Sequence, residues 1–127
     1  MKENDISYKI RGIAFKIHKE LGPGLFESVY EEVMYYELKK AGLKVERQKV
    51  IPIYWDGKKM EKGFRADLII ENKVIIEIKS VETISKVYYK QIATYVKLTG
   101  LKLGLLINFF EDDISHGIKR YINGILN

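Results

Sequence analysis

The chain has 127 residues, 46% of them hydrophobic and 31% charged, and a net charge of +5. That size and balance suit one folded domain, too short for two cores and too apolar for a disordered chain. With no Cys and 2 His, disulfides, thiolate zinc sites and Cys nucleophiles are excluded and an imidazole cage is disfavoured, so any metal must be held by oxygen. No apolar run nears the roughly 20 residues of a membrane helix, and the opening "MKENDISYK" lacks a signal peptide's apolar stretch, so a cytoplasmic protein with no membrane partner is expected. The positive charge would draw a polyanion, but by itself it identifies none.

In chain order, Ile6, Ile10, Ile13, Ala14, Ile17 and Leu21 recur at three- and four-residue steps, which predicts an amphipathic helix ended by "LGPG". A second helix is predicted from Phe26 to Ala41, with Phe26, Tyr30, Met34, Leu38 and Ala41 on one side and Gly42 as its stop. From Val45 the composition turns strand-like, and Asp56-Gly57 is a strong hairpin signal. Tyr54 and Trp55 before it read as cross-strand packing in preference to a base-stacking platform. After "ENK" come the strand "VIIEIK", a loop around "SVET", a helix from Ile84 to Thr99 closed by Gly100, and the apolar strand "LGLLIN". Strand, helix, strand predicts a parallel pair joined by a right-handed crossover. The tail from Ile114 to Ile125 reads as a short helix. The expected architecture is a single α/β domain over residues 1–127, order ααβββαβα, around one mixed sheet.

The polar residues inside the central hairpin, "ADLIIENKVIIEIKS", are the informative ones. If "ENK" is the loop, Ile70 faces Val74, and stepping outward sets Asp67 across from Glu77, with Lys79 two positions on and projecting from the same face. Carboxylates about 5 Å apart repel by roughly 3 kcal/mol at an effective dielectric of about 20. A divalent cation would offset that, and hard oxygen donors favour Mg²⁺ or Mn²⁺. The alternative is neutralisation by Lys79 or Arg65 in a solvated patch.

Two helices add clues. Glu27 falls within the arc of Phe26, Tyr30 and Met34, leaning toward the buried side, either as a third oxygen ligand or as a first-turn acid favoured by the helix dipole. In the later helix Ile84, Tyr88, Gln91, Tyr95 and Leu98 form one stripe. Gln91, its strongly polar member, is either a core amide satisfied by backbone or a ligand to a phosphate or metal-bound water, with Tyr88 and Tyr95 as an aromatic wall. Lys86, Lys90 and Lys97 fall on the opposite, solvated side, and His18 reads as structural or surface.

An acid, nine residues, then Glu-x-Lys ending an apolar strand resembles the PD-(D/E)XK nuclease superfamily, with Asp67, Glu77 and Lys79 in the signature positions. "LGPGLFESVYE" is similar to the GxxExxY branch through Gly24, Glu27 and Tyr30, and "QIATY", with Gln91 and Tyr95, to the Gln-x-x-x-Tyr helix motif of RecB-like nucleases. Ala66 stands where the superfamily's name has Pro. The resemblance implies a metal-dependent nuclease in which Asp67, Glu77, the Ile78 carbonyl and Glu27 hold Mg²⁺, with Mn²⁺ as a substitute. Lys79 would orient or deprotonate the attacking water, and Gln91 would position a phosphate or water. Tyr95, Tyr88 and Arg65 would contact nucleic acid, DNA in preference to RNA. A homodimer through an edge strand or the Tyr35/Tyr36 surface would fit cutting of both strands. The alternative is a catalytically inactive nucleic-acid-binding or protein-interaction module on the same fold.

Overall fold

The computed structural model describes residues 1–126. Two helices open the chain. α1 (Glu3–Leu21) buries Ile6, Ile10, Ala14 and Ile17 at the spacing of one helical face. α2 (Glu27–Lys40) buries Tyr30, Glu31, Met34 and Leu38. Phe26 and Ala41, expected on that buried side, are instead the N- and C-caps of α2, and Phe26 is 83% exposed. The wheel fails there because both residues lie outside the helix whose period it extrapolates.

Five strands form the main sheet: β1 (Val45–Ile51), β4 (Phe64–Ile70), β5 (Val74–Lys79), β6 (Leu103–Asn108) and β7 (Ile118–Ile122), adjacent in that order. Between β1 and β4 a separate hairpin is made by β2 (Tyr54–Trp55) and β3 (Lys58–Lys59). β5 and β6 run parallel, bridged by α3 (Lys86–Thr99), and the other neighbours are antiparallel. The mixed α/β class, the crossover and the sheet flanked by helices are as the sequence predicts.

Alternation along β5 sorts the two layers. Val74, Ile76 and Ile78 join Leu68, Ile70 and the buried faces of α1 and α2, while Ile75 packs with Ile69, Ala66, Ile92 and Val96 under α3. A Cβ at Gly104 would lie 2.6 Å from Val96 Cγ2 and 2.9 Å from Ile92 Cγ1, so α3 approaches β6 this closely only over a glycine. β5 and β6 are covered on both faces, which is why they read as continuous apolar runs.

The tail departs from expectation. Residues Ile114–Gly117 form one 3₁₀ turn, capped by Asp113, and Ile118–Ile122 pair with β6 as an edge strand, anchored by Arg120, which donates to Ser7 Oγ (2.7 Å) and Asn4 Oδ1 (2.8 Å) of α1. A helix there would have left one side of β6 without ladder partners, a cost larger than any local preference. Tyr54 and Trp55 do sit in cross-strand pairs, with Lys59 and Lys58, but in a separate two-stranded sheet that leaves them 61% and 71% exposed, Tyr54 bordering a groove with Ile69, Leu98 and Leu101.

Candidate active site

The central hairpin turns through Glu71–Lys73, with Glu71 and Asn72 at positive φ, and pairs Ile70 with Val74, Ile69 with Ile75 and Leu68 with Ile76. The next step would bring Asp67 to Glu77, and there the ladder stops. Asp67 Oδ2 accepts from the Ile78 main-chain N–H at 2.8 Å, and Glu77 Oε2 accepts from the Asp67 N–H at 2.9 Å. Each carboxylate thus takes a donor from the opposite strand and props the strands apart. The neighbouring side of β4 is irregular too. Gln48, opposite Asp67 in β1, has φ +51, and Ala66 packs on the α3 side although strict alternation would place it with Leu68. The pairing therefore breaks on both sides of Asp67.

Electrostatics follow from that placement. Burial raises the Glu77 carboxyl to about 8, with the Asp67 charge adding to the shift and the Asp67 N–H and Lys79 opposing it. Asp67 is raised as well, by burial first, against the Ile78 hydrogen bond, with Glu31 adding. Tyr95 is raised by burial and then by Glu77 and Asp67, which places its phenol beside the acids; its ring stacks on Phe64 at 4.3 Å between centroids. Lys79 lies close enough to oppose both shifts, yet no ion pair within 4.0 Å joins it to either acid among the described residues, and its Nζ sits 4.3 Å from the Tyr88 ring centroid. Neutralisation by a direct Lys79 bridge is therefore not what this site does.

Glu31 is the residue that sequence reasoning missed. Only 7% exposed, it accepts from Arg47 Nε at 2.8 Å and from Gln48 Nε2, which also reaches Asp67 Oδ1 at 3.4 Å. Its position next to Tyr30 and three before Met34 put it in the buried stripe; a charged residue there was the available signal. Glu27 sits differently from expectation: it is exposed, and its Oε1 lies 3.4 Å from the Ser80 N–H at the end of β5. Tyr30 braces the loop that contains Gly24 (φ +99). The Tyr30 hydroxyl donates to Gly22 O (2.5 Å) and accepts from Leu25 N (3.1 Å), its ring stacks on Phe109 at 4.4 Å, and the Phe109 N–H donates to Lys79 O. Asn108, 1% exposed and also missed, holds the chain just past Ser80 by bonding both main-chain groups of Val81. Gln91 is half-buried and faces no hydrogen-bond partner among the described residues, and Arg65 is exposed.

The acids fit a hard cation as a pair. Among the described residues no three His, Cys, Asp or Glu side chains close on one point, so Glu31 contributes field and not a third arm of a cage. No buried side-chain polar atom among the described residues lacks a partner, so Glu77 Oε1, which takes no hydrogen bond, opens to the surface. Ile78 directs its N–H at Asp67, and in an extended strand its carbonyl points to the same side. Two carboxylates and a carbonyl of this kind suit Mg²⁺ or Mn²⁺. A cavity of about 770 Å³ beside Tyr35, Tyr36, Lys39 and Arg47 is lined by neither hairpin acid.

The model of the PD-(D/E)XK nuclease superfamily matches residues 4–121. The chain belongs to that superfamily. Such nucleases usually hydrolyse phosphodiesters, generally with divalent metals such as Mg²⁺. The chain is also similar to a solved protein, "Crystal structure of SSO0001", at 27% identity and a TM-score of 0.50. That match covers 80% of this superfamily member and 52% of the other chain, so the chain spans about half the length of the structure it resembles. No curated protein matches it. None of its described helices is long and apolar enough to cross a membrane.

Proposed function

We propose that the protein is a GxxExxY-type, metal-dependent nuclease acting on DNA in the cytoplasm, with Asp67, Glu77 and Lys79 as its working residues. The observation that carries this reading is the pair of raised carboxyls, Asp67 and Glu77, set at one break in the β4–β5 ladder with Lys79 beside them. A repulsive, half-dry acid pair in an otherwise apolar hairpin makes physical sense where a cation completes it.

Asp67, Glu77 and the Ile78 carbonyl would hold Mg²⁺, with Glu27 at the rim as a further oxygen donor. When bound, the ion supplies Lewis acidity toward the scissile phosphate and its attacking water. Lys79, braced on Tyr88, places a positive charge where the phosphate gains negative charge and holds the water by hydrogen bonding. The Ile78 and Asp67 N–H groups each hold one oxygen of a carboxylate and so help orient the pair. Gln91, with its amide unspent, orients a phosphate or water; Tyr95, Tyr88 and Arg65 contact the DNA. Pairing of two copies would cut both strands.

A second reading, a binding module that no longer cuts, is favoured by one observation: each acid already spends an oxygen on a main-chain N–H. Calorimetry with Mn²⁺ separates the two. The nuclease reading expects binding that Asp67→Ala abolishes together with cleavage. Absence of heat in the parent, or parental cleavage by the variant, sinks it.

A further inference from the structure

The hairpin of β2 and β3 has no role in the fold as described. Asp56 (φ +51) and Gly57 (φ +72) make a tight turn of the type that matches strand twist, and Met60 N–H donates to Ile53 O at 2.8 Å, so the arm is well formed. Its outer positions are nevertheless apolar rings in water: Tyr54 is 61% and Trp55 71% exposed. In register, Tyr54 faces Lys59 and Trp55 faces Lys58, so each side of the ribbon shows one ring with one ammonium across from it. Lys62 and Arg65, both exposed, follow toward its base.

The arm also starts from the end of the sheet that carries the acids. Its base is the Ile51–Phe64 pair, and Phe64 stacks on Tyr95 beside the acids. Phe64 lies three residues before Asp67, about 10 Å along a strand. Tyr54 also borders a groove of about 290 Å³ with Ile69, Asn72 and Leu98, so its ring edges the α3 side of the sheet, whereas Trp55 lines none of the cavities among the described residues.

We infer that this hairpin is a strand-binding arm: Trp55 and Tyr54 stack on unpaired bases while Lys58, Lys59, Lys62 and Arg65 take the adjoining phosphates, so the substrate is single-stranded beside the cut. An exposed ring has a flat face to offer, and bases inside a duplex have none free. Cations alternating with rings match a charged backbone carrying stackable bases. This rests on the nuclease reading for the cut but not for the binding, and the two fail separately.

Trp55 is the single Trp of the chain, so its emission reports the arm directly. Titrate the full chain in EDTA with an oligothymidylate of about 12 nucleotides, within the ~4–16 nucleotide sites of single-strand binders, following emission and, with a labelled copy, anisotropy. Quenching that tracks binding is expected. Trp55→Ala should loosen binding about tenfold, the loss of roughly one stacked base, Trp55→Phe should restore most of it, and a blunt duplex should bind both forms alike. Binding with unmoved emission, equal loss on the duplex, no binding at all, or emission that changes with protein concentration alone, which would seat a second copy on the arm, each overturns the inference. Quenching without cleavage of any DNA in Mg²⁺ leaves the arm standing and removes the nuclease reading.

Discussion

The two halves of one hairpin obey different rules. From the turn to Leu68 and Ile76, β4 and β5 are paired residue for residue and wholly apolar. Beyond that point, Asp67 and Glu77 intercept main-chain donors with their carboxylates, and Gln48 leaves the β region opposite them. The inner half derives stability from burial, about 1.5–3 kcal/mol for each Ile or Leu side chain. The outer half gives up regular pairing and holds two acids partly out of water. The lesson is that the scaffold's regular part supports an irregular part whose residues are poorly placed for stability alone.

Four changes test this contrast. The largest effect is expected from Asp67→Asn, which keeps an oxygen to accept the Ile78 N–H but removes the charge. Cleavage should fall at least about 100-fold, while the melting temperature in EDTA above about pH 8, where Glu77 is also charged, holds or rises because a like-charge repulsion is gone. Asp67→Ala is the harsher variant, since it also strands that N–H.

Next, Ile76→Ala in the inner half should cost about 2–5 kcal/mol in urea unfolding, with cleavage per folded molecule kept. If it lost activity without losing stability, the division between halves would be broken.

Third comes pH. The Glu77 carboxyl lies near 8 in the folded chain against 4.5 in its ordinary state, and Asp67 is raised too, so the folded protein binds more protons than the unfolded one between those values. This contribution to stability is then fully present below about pH 4.5 and is lost as pH rises through about 8. In EDTA the loss between those limits should be on the order of a few kcal/mol, and Glu77→Gln should flatten it. A profile that rises over that range would contradict the burial of this pair. Smallest, Tyr30→Phe removes a hydroxyl that serves Gly22 O and Leu25 N, and should cost about 1–2 kcal/mol.

Much of this was readable before the fold was seen. "ENK" as a turn put Ile70 against Val74 and, by counting, Asp67 toward Glu77. That worked because a two-fold period and a short loop leave little freedom. Counting did not reveal that the ladder ends there, since capture of the Ile78 and Asp67 N–H groups by carboxylates is a matter of side-chain orientation, which register alone does not fix. Glu31 lies at helical spacing in the buried stripe of α2, which the sequence does show, but its partner Arg47 lies on another element, so what the charge is buried against is a tertiary fact. The tail failed for the same kind of reason. Ile114, Ile118, Ile122 and Ile125 have helical spacing, yet an open ladder on β6 recruits the segment as a strand. Glu27 shows the reverse: the wheel pointed it inward, but it stands at the helix start, where the chain approaches Ser80 and the side chain reaches out.

The left-handed backbone of Gln48 has one more consequence. Glycine would adopt φ +51 at lower cost, by roughly 1 kcal/mol, so a non-glycine residue here trades conformational ease for an amide that spans Glu31 and Asp67. Gln48→Gly would ease the backbone but leave a buried Glu31 oxygen without its donor, a loss of about 1–3 kcal/mol. The variant should therefore be no sturdier, and the amide link between Glu31 of α2 and Asp67 of β4 would be gone.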